Sequence, residues 1–389
     1  MALFGHSGSH APQLMHSSVI IMAIFSFFSW VRVNFVAKIR STMRNTLKPS
    51  LVQLGAWMRG EIEGAGSANE SLLAHAESTN RWFTPAHSKQ AMQACGDWLR
   101  PEMLDEWMGR YPEVSISSSK KVGLVLAGNL PLVGWHDVLC VLLSGHHAVI
   151  KCSSSDTVLI PEIMHAWNEF AGDELKGRFE WSQGPMKDID AIIATGSNNT
   201  RRHFDHYFQD VPRILRGQRT SVAVLDGDET LIDCQALGHD VFDYFGLGCR
   251  SVTKLFLPKG FDLNRLFGAW VEWSHLGTHN KYANNYDYHK ALWLLNQDAI
   301  LENGFLLMKE DDKWVSPVGT LFYEFYENVS AVEERLREHR NDLQCAVRRD
   351  GAAVLSIQVP VFTLGNSQCP LPWDYADEVD TMKFLFELS

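Results

Sequence analysis

Four short runs of β-branched and aliphatic residues constrain this chain more than any other feature: VGLVLAG (122–128), AVIK (148–151), AIIATG (191–196) and SVAVLDG (221–227). Stretches with helical spacing separate them. Apolar strands alternating with helices predict a parallel sheet buried on both faces, an α/β fold. Upstream, apolar residues three and four apart at Leu51, Leu54, Trp57 and Met58, then at Ala91, Met92, Cys95 and Trp98, predict helices that cover the sheet.

In an open parallel sheet, ligands lie beyond the carboxyl ends of the strands. Here those ends carry AGNLP, KCSSSD and TGSNNT, strings of hydroxyls, amides and free N–H groups. Such groups gathered at helix N-termini can seat a pyrophosphate, though each string alone is also ordinary turn chemistry. Further on, Cys249 stands in GLGCRSVTKLFLP (246–258), leading into an apolar, strand-like run. Glycines at 246 and 248 permit turns and close approach that a β-carbon would block, and a thiolate there can attack a carbonyl carbon. A buried cysteine acting only as a small hydrophobe is the competing reading.

The bulk numbers narrow the partners. The chain has 389 residues with 35 Lys and Arg against 46 Asp and Glu, a formal charge of −11. That balance argues against a nucleic-acid surface, which needs clustered cations. The seven cysteines are odd in number and irregularly spaced, fitting neither a disulfide framework nor a C-x-x-C zinc site, so the expected compartment is a reducing cytoplasm and no metal is expected. The pair His146–His147 is read as preceding a strand. Residues 1–49 form an N-terminal extension of different character. Its apolar run Val19–Val31 would be about 20 Å long as a helix, too short to span a bilayer comfortably, and no Lys or Arg precedes it. It is open to three readings: a surface anchor with weak membrane association through residues 19–31, an extra packed helix, or sequence upstream of a true start near Met43.

Taken in order, AGNLPLVGWHD, AVIKCSSSD, ATGSNNT and GLGC resemble the signals of the aldehyde dehydrogenase superfamily. More closely, the strings NRWFTP (80–85), YFGLGCRSVTKLF (244–256), NKYANNYDY (280–288), SPVGTLFYE (316–324) and NSQCPLPWDYADEVDT (366–381) resemble the LuxC-like acyl-CoA reductases, over about 50–389. The resemblance implies an aldehyde-dehydrogenase-like fold: a Rossmann-type dinucleotide-binding domain over 50–226, an α/β catalytic domain over 227–355, and a C-terminal arm over 356–389 with an oligomerisation strand, hence a homo-oligomer. It implies that Cys249 is the nucleophile and that the Asn129 amide, with the Cys249 backbone N–H, forms an oxyanion hole, a device whose donors are worth ~3 kcal/mol each. Lys151, Ser154, Thr195, Gly196 and Ser197 match cofactor positions. His136 is a candidate for lining the acyl channel or donating a proton, against a plain packing role, and Asn285 for touching substrate, against stabilising a turn.

Two departures from the superfamily pattern carry information. In LRGQRTS (215–221), Leu215 falls where aldehyde-oxidising members carry the glutamate that activates water. An acyl group on Cys249 would then be reduced or passed to a thiol, not hydrolysed. Ser154 stands where a ribose-binding glutamate is usual, and with Lys151 nearby this favours NADPH. The expected activity is NADPH-dependent reduction of a long-chain acyl-CoA to the aldehyde, with a possible acyl-donating partner enzyme. Two alternatives stay open: a CoA-acylating aldehyde dehydrogenase running oxidatively, and a non-catalytic nucleotide- or acyl-binding protein of the same fold.

Overall fold

The computed structural model describes residues 46–62, 70–111, 118–196 and 198–388. The run 19–31, Met43 and Ser197 lie outside the described residues. Helix α1 (residues 46–58) is followed by α2 (Glu70–Thr79), α3 (Pro85–Asp97) and α4 (Pro101–Gly109). Thr84 caps α3 by accepting from the His87 N–H, with Pro85 at the first helical position, where its missing N–H costs nothing. Leu51, Leu54, Trp57, Met58, Ala91, Met92 and Cys95 are all buried in one core with Val122 and Leu124 of the sheet, so the helical spacing upstream does mark a covering layer.

The first sheet contains β1 (Lys121–Val125), β2 (His147–Lys151), β3 (Phe179–Trp181), β4 (Ala191–Thr195) and β5 (Arg213–Arg216), connected through α5 (Trp135–Leu143), α6 (Leu159–Ala171) and α7 (Asn198–Tyr207). All its pairings are parallel, in the order β3-β2-β1-β4-β5. The order reverses at the β1–β4 pair, the position where the loops of a parallel sheet diverge and leave room for a ligand. The loop after β1 is AGNLP, and the one after β4 begins at Gly196. The edge strands β3 and β5 are too short and too polar to have been read from the pattern.

The second sheet contains β6 (Thr220–Val224), β7 (Val252–Pro258), β8 (Leu301–Glu302), β9 (Leu307–Glu310), β10 (Thr320–Tyr326), β11 (Leu343–Arg348) and β12 (Val361–Thr363). Its order is β12-β11-β6-β7-β10-β9-β8, parallel except for β8 against β9. Helices α8 (Leu231–Phe242), α9 (Asn264–Ala269), α10 (Asn280–Leu295), α11 (Val329–Glu338) and α12 (Thr381–Phe386) complete the chain.

One expectation is corrected. The fourth apolar run, β6, pairs with β7 and β11 in the second sheet, so the boundary expected at 226 falls in the link between β5 and β6. A strand buried on both faces looks the same in either sheet. The C-terminal arm carries β12, which pairs with β11 at one edge of the second sheet, and then runs on into α12. Met382, Leu385 and Phe386 have helical spacing and are buried in the first core, beside the strands of the first sheet. His146, just ahead of β2, meets the Leu385 carbonyl at 2.8 Å and accepts from the Lys120 N–H at 3.1 Å. The tail therefore returns from the second sheet to the first. Among the described residues, no helix is long and apolar enough to cross a membrane.

Candidate active site

The loop after β1 touches both halves of the molecule. On one side Gly128 packs so closely on the β2 loop that a β-carbon would meet Ser153 at 2.7 Å and the Asp156 N at 3.0 Å. Asn80, buried, staples the two loops by donating to the Ser155 carbonyl at 3.1 Å and the Gly128 carbonyl at 3.4 Å. On the other side Asn129 Nδ2 donates to the Leu247 carbonyl at 3.1 Å, two residues before Cys249. Leu130 lies so near Gly248 that a β-carbon there would meet it at 3.0 Å. The carboxyl edge of the first sheet thus faces the amino edge of the second, with Asn129 and Cys249 on opposite lips.

The turn before the cysteine is strained. Tyr244, Phe245 and Gly246 all have positive φ (54°, 60° and 71°), costing about 1 kcal/mol or more at each of the two aromatic residues. Surrounding contacts hold it. The Tyr244 N–H donates to His87 Nε2 at 3.3 Å, and Phe245 packs against Trp82, His87 and His279 with ring centroids 4.4–5.1 Å apart. Burial lowers His87 to about 4, which keeps it neutral and able to accept that N–H. His279 caps α10 and also meets the Arg81 carbonyl at 2.9 Å. The distant strings NRWFTP, YFGLGC and NKYANNYDY therefore meet as one support for the cysteine turn.

Cys249 keeps some contact with solvent. Burial pushes its thiol above the ordinary range; the charge of Asp377 adds to the rise, while Arg250 and Arg216 oppose it. Asp377 comes from the returning tail, also at positive φ (60°), and pairs with Arg219 at 3.1 Å. Removing its charge should lower the thiol pKa. Asp377→Asn is therefore expected to raise the rate of Cys249 alkylation by iodoacetamide at pH 8 by about threefold or more and to move the pH–rate curve to lower pH. A rate that stays level or falls would rule out this electrostatic restraint.

The other candidates are placed as follows. Lys151 ends β2 and its Nζ donates to the Gly184 carbonyl at 3.3 Å. Ser154 is exposed in the loop beyond. Thr195 ends β4, and the Gly196 N–H donates to the Arg216 carbonyl at 3.2 Å. The one carboxylate of KCSSSD, Asp156, is buried; it accepts from the Leu159 N–H at the start of α6, and burial pushes it up to about 6. His136 lies in the first turn of α5 within an aromatic cage of Trp98, Trp107 and Tyr375. One ring nitrogen meets the Pro372 carbonyl at 2.7 Å and the other faces Cys140 Sγ at 3.8 Å. Asn285 sits in the helix α10, not in a turn, and donates back to the Lys281 carbonyl at 2.7 Å. The structure does not bring these last two to the cysteine through any contact. Asp377, Arg216 and Arg250 went unnoticed in the sequence. WDYADEVD was legible as a family string, but nothing local says where a returning tail lands.

Comparison with known proteins now decides the family. The profile described as acyl-CoA reductase (LuxC) matches residues 69–265, about half the chain. The chain belongs to the LuxC acyl-CoA reductase family. Among relatives of this LuxC-family chain, the long-chain acyl-protein thioester reductase of Aliivibrio fischeri is 26% identical over 243 residues, covering 56% of this chain and 50% of that protein. Long-chain acyl-protein thioester reductase 2 of Photobacterium leiognathi is 23% identical over 245 residues, with the same coverage. The matched region spans about half the length of these relatives. Solved structures establish an aldehyde-dehydrogenase-like fold: aldehyde dehydrogenase 21 of Physcomitrella patens aligns with TM-score 0.64 at 11% identity, over 89% of this chain and 83% of that one. Mycobacterium tuberculosis aldehyde dehydrogenase, complexed with NAD+, aligns with TM-score 0.59 at 13% identity, over 90% and 84%.

Proposed function

We propose that this LuxC-family chain reduces a long-chain acyl thioester to the aldehyde through an acyl-enzyme at Cys249, with acyl-CoA as donor and NADPH as reductant. The observation that carries the reading is Asn129 Nδ2 at 3.1 Å from the Leu247 carbonyl, which holds a side-chain amide against the cysteine turn. That contact uses one of the two amide hydrogens and leaves the other for an oxyanion. Cys249 sulfur attacks the thioester carbonyl; Asn129 and the Cys249 backbone N–H receive the negative charge; the carrier thiol leaves with a proton and the acyl group stays on sulfur. All seven cysteines are free, which suits this chemistry and a cytoplasmic setting.

The strand-end residues fit a phosphorylated dinucleotide. Lys151, Ser154 and Thr195 offer an ammonium and two hydroxyls at the strand ends, with Gly196 leaving room for close approach, while Asp156 is committed to the start of α6. NADPH bound there supplies the reducing equivalent that turns the acyl group into an aldehyde. Leu215, an apolar residue within β5, provides no base to activate water, so an acyl-enzyme would persist until reduced or passed to a thiol. A homo-oligomer and an acyl-donating partner enzyme belong to this reading on resemblance alone; the names of the two relatives point to a protein-bound thioester as a second donor to test.

The test is absorbance of NADPH with long-chain acyl-CoA and, separately, with a long-chain acyl-protein thioester. The expected result is NADPH loss matched by free thiol release. Silence with both donors, with NADP+ reduced on adding aldehyde and coenzyme A, would replace this reading with the oxidative one; silence in both directions would leave a binding protein.

A further inference from the structure

A cavity of about 500 Å³ opens between α7, the link from β5 to β6 and the segment leading into β11, within the range of small-molecule sites. Four arginines line it, Arg201, Arg202, Arg213 and Arg219, against two aspartates, Asp205 and Asp342. In a chain carrying a net −11 this concentration of guanidinium groups stands out. Internal pairing accounts for half of them. Arg213 meets Asp205 at 2.8 Å, and Arg219 meets Asp377 at 3.1 Å and donates to the Leu343 carbonyl at 2.9 Å. Arg201 and Arg202, adjacent and exposed on α7, make no hydrogen bond or ion pair among the described residues.

The cavity's place matters as much as its charge. Leu215, Gly217 and Gln218 on its wall belong to the carboxyl end of β5 and the link beyond it, where the Gly196 N–H also meets the chain at Arg216. That is the edge carrying the loops after β1, β2 and β4. Arg219 connects the cavity to Asp377, the tail carboxylate that acts on Cys249.

We propose that this cleft binds the phosphorylated adenosine end of a nucleotide, with Arg201 and Arg202 as its phosphate contacts. The planar guanidinium fork matches phosphate oxygens two at a time, and two exposed forks on neighbouring residues suit a ribose phosphomonoester beside a diphosphate. This inference rests on the proposed reductase function, whose acyl donor presents that group: coenzyme A carries a 3′-phosphate on the adenosine ribose beside its diphosphate, while the 2′-phosphate of NADPH, placed by that function at Lys151 and Ser154, is the competing source.

Calorimetric titration of the full chain with adenosine 3′,5′-bisphosphate and with 2′-phosphoadenosine diphosphoribose separates the two sources. The unmodified chain is expected to bind one of them in a salt-sensitive manner, and the Arg201→Gln, Arg202→Gln double variant to bind it about tenfold or more weakly. The fragment that loses affinity names the source. Both side chains are exposed, so the melting temperature is expected to stay unchanged, which shows that the variant is folded. No binding of either fragment, or equal affinity in variant and parent, overturns the proposal. Acylation of Cys249 in the unmodified chain by a fatty acyl thioester of N-acetylcysteamine, which carries no phosphate, tests the reductase reading separately. Its absence sinks that reading, while the titration still decides the cleft.

Discussion

Replacing Cys249 by alanine is expected to abolish thioester-dependent NADPH oxidation, lowering the rate by about a thousandfold or more, because the covalent step loses its only attacking atom. Four of the other thiols are held by burial well above the range in which a thiol ionises. Burial raises Cys95 and Cys152 to about 12 and Cys345 to about 11, and leaves Cys140 still less able to ionise. Cys249 also has the Asn129 amide against its turn, a donor that none of these others is shown to have. The side chain is small and half-buried, so the variant should melt within a few degrees of the parent, and mass spectrometry after incubation with acyl-CoA should show the acyl adduct on the parent alone. Turnover retained within about tenfold would remove the cysteine from the mechanism, whatever the fold.

The second large effect is on stability. Arg216, at the end of β5, donates to Asp137 of α5 at 2.8 Å and to Thr381 of α12 at 2.9 Å. Both charged side chains are sealed, 7% and 6% exposed, and Arg216 Nε already has no partner. Asp137→Ala would leave a buried guanidinium without its counter-charge, at a cost of about 3–5 kcal/mol. Urea unfolding should show this as a midpoint shift with little change in slope. Adding Arg216→Met to the first substitution should recover most of the loss, because two apolar groups remove the unpaired charge together. A loss below about 1 kcal/mol for Asp137→Ala would mean that water reaches the pair and that the junction of α5, β5 and α12 is looser than its geometry indicates. The same pair bears on the site, since the Arg216 charge opposes the rise of the Cys249 thiol.

Local pattern carried much of the fold. The runs at 122, 148 and 191 became adjacent parallel strands, and the helices upstream became their cover, because burial on two faces demands continuous apolar strands and burial on one demands helical periodicity. The polar strings at the strand ends likewise lie where a parallel sheet must leave its loops. His136 and Asn285 show the limit. The spacing of His136 from Asn129 and the family string around Asn285 suited a site; in the fold His136 is enclosed by aromatic rings and Asn285 bonds back to its own helix.

By itself the sequence determined that a parallel α/β sheet forms, which loops lie at its carboxyl edge, and that Cys249 stands on a glycine-bearing turn before a buried strand. All three follow from short-range properties: periodicity, turn chemistry and the space a missing β-carbon leaves. Only the tertiary structure decided that β6 belongs to the second sheet, that the tail turns back as α12 onto the first core, and that Asp377 of the tail meets Arg216 and Arg219 of the chain's middle beside Cys249. Those outcomes depend on which buried surfaces find each other across more than a hundred residues, and on charges that matter only once water between them is gone.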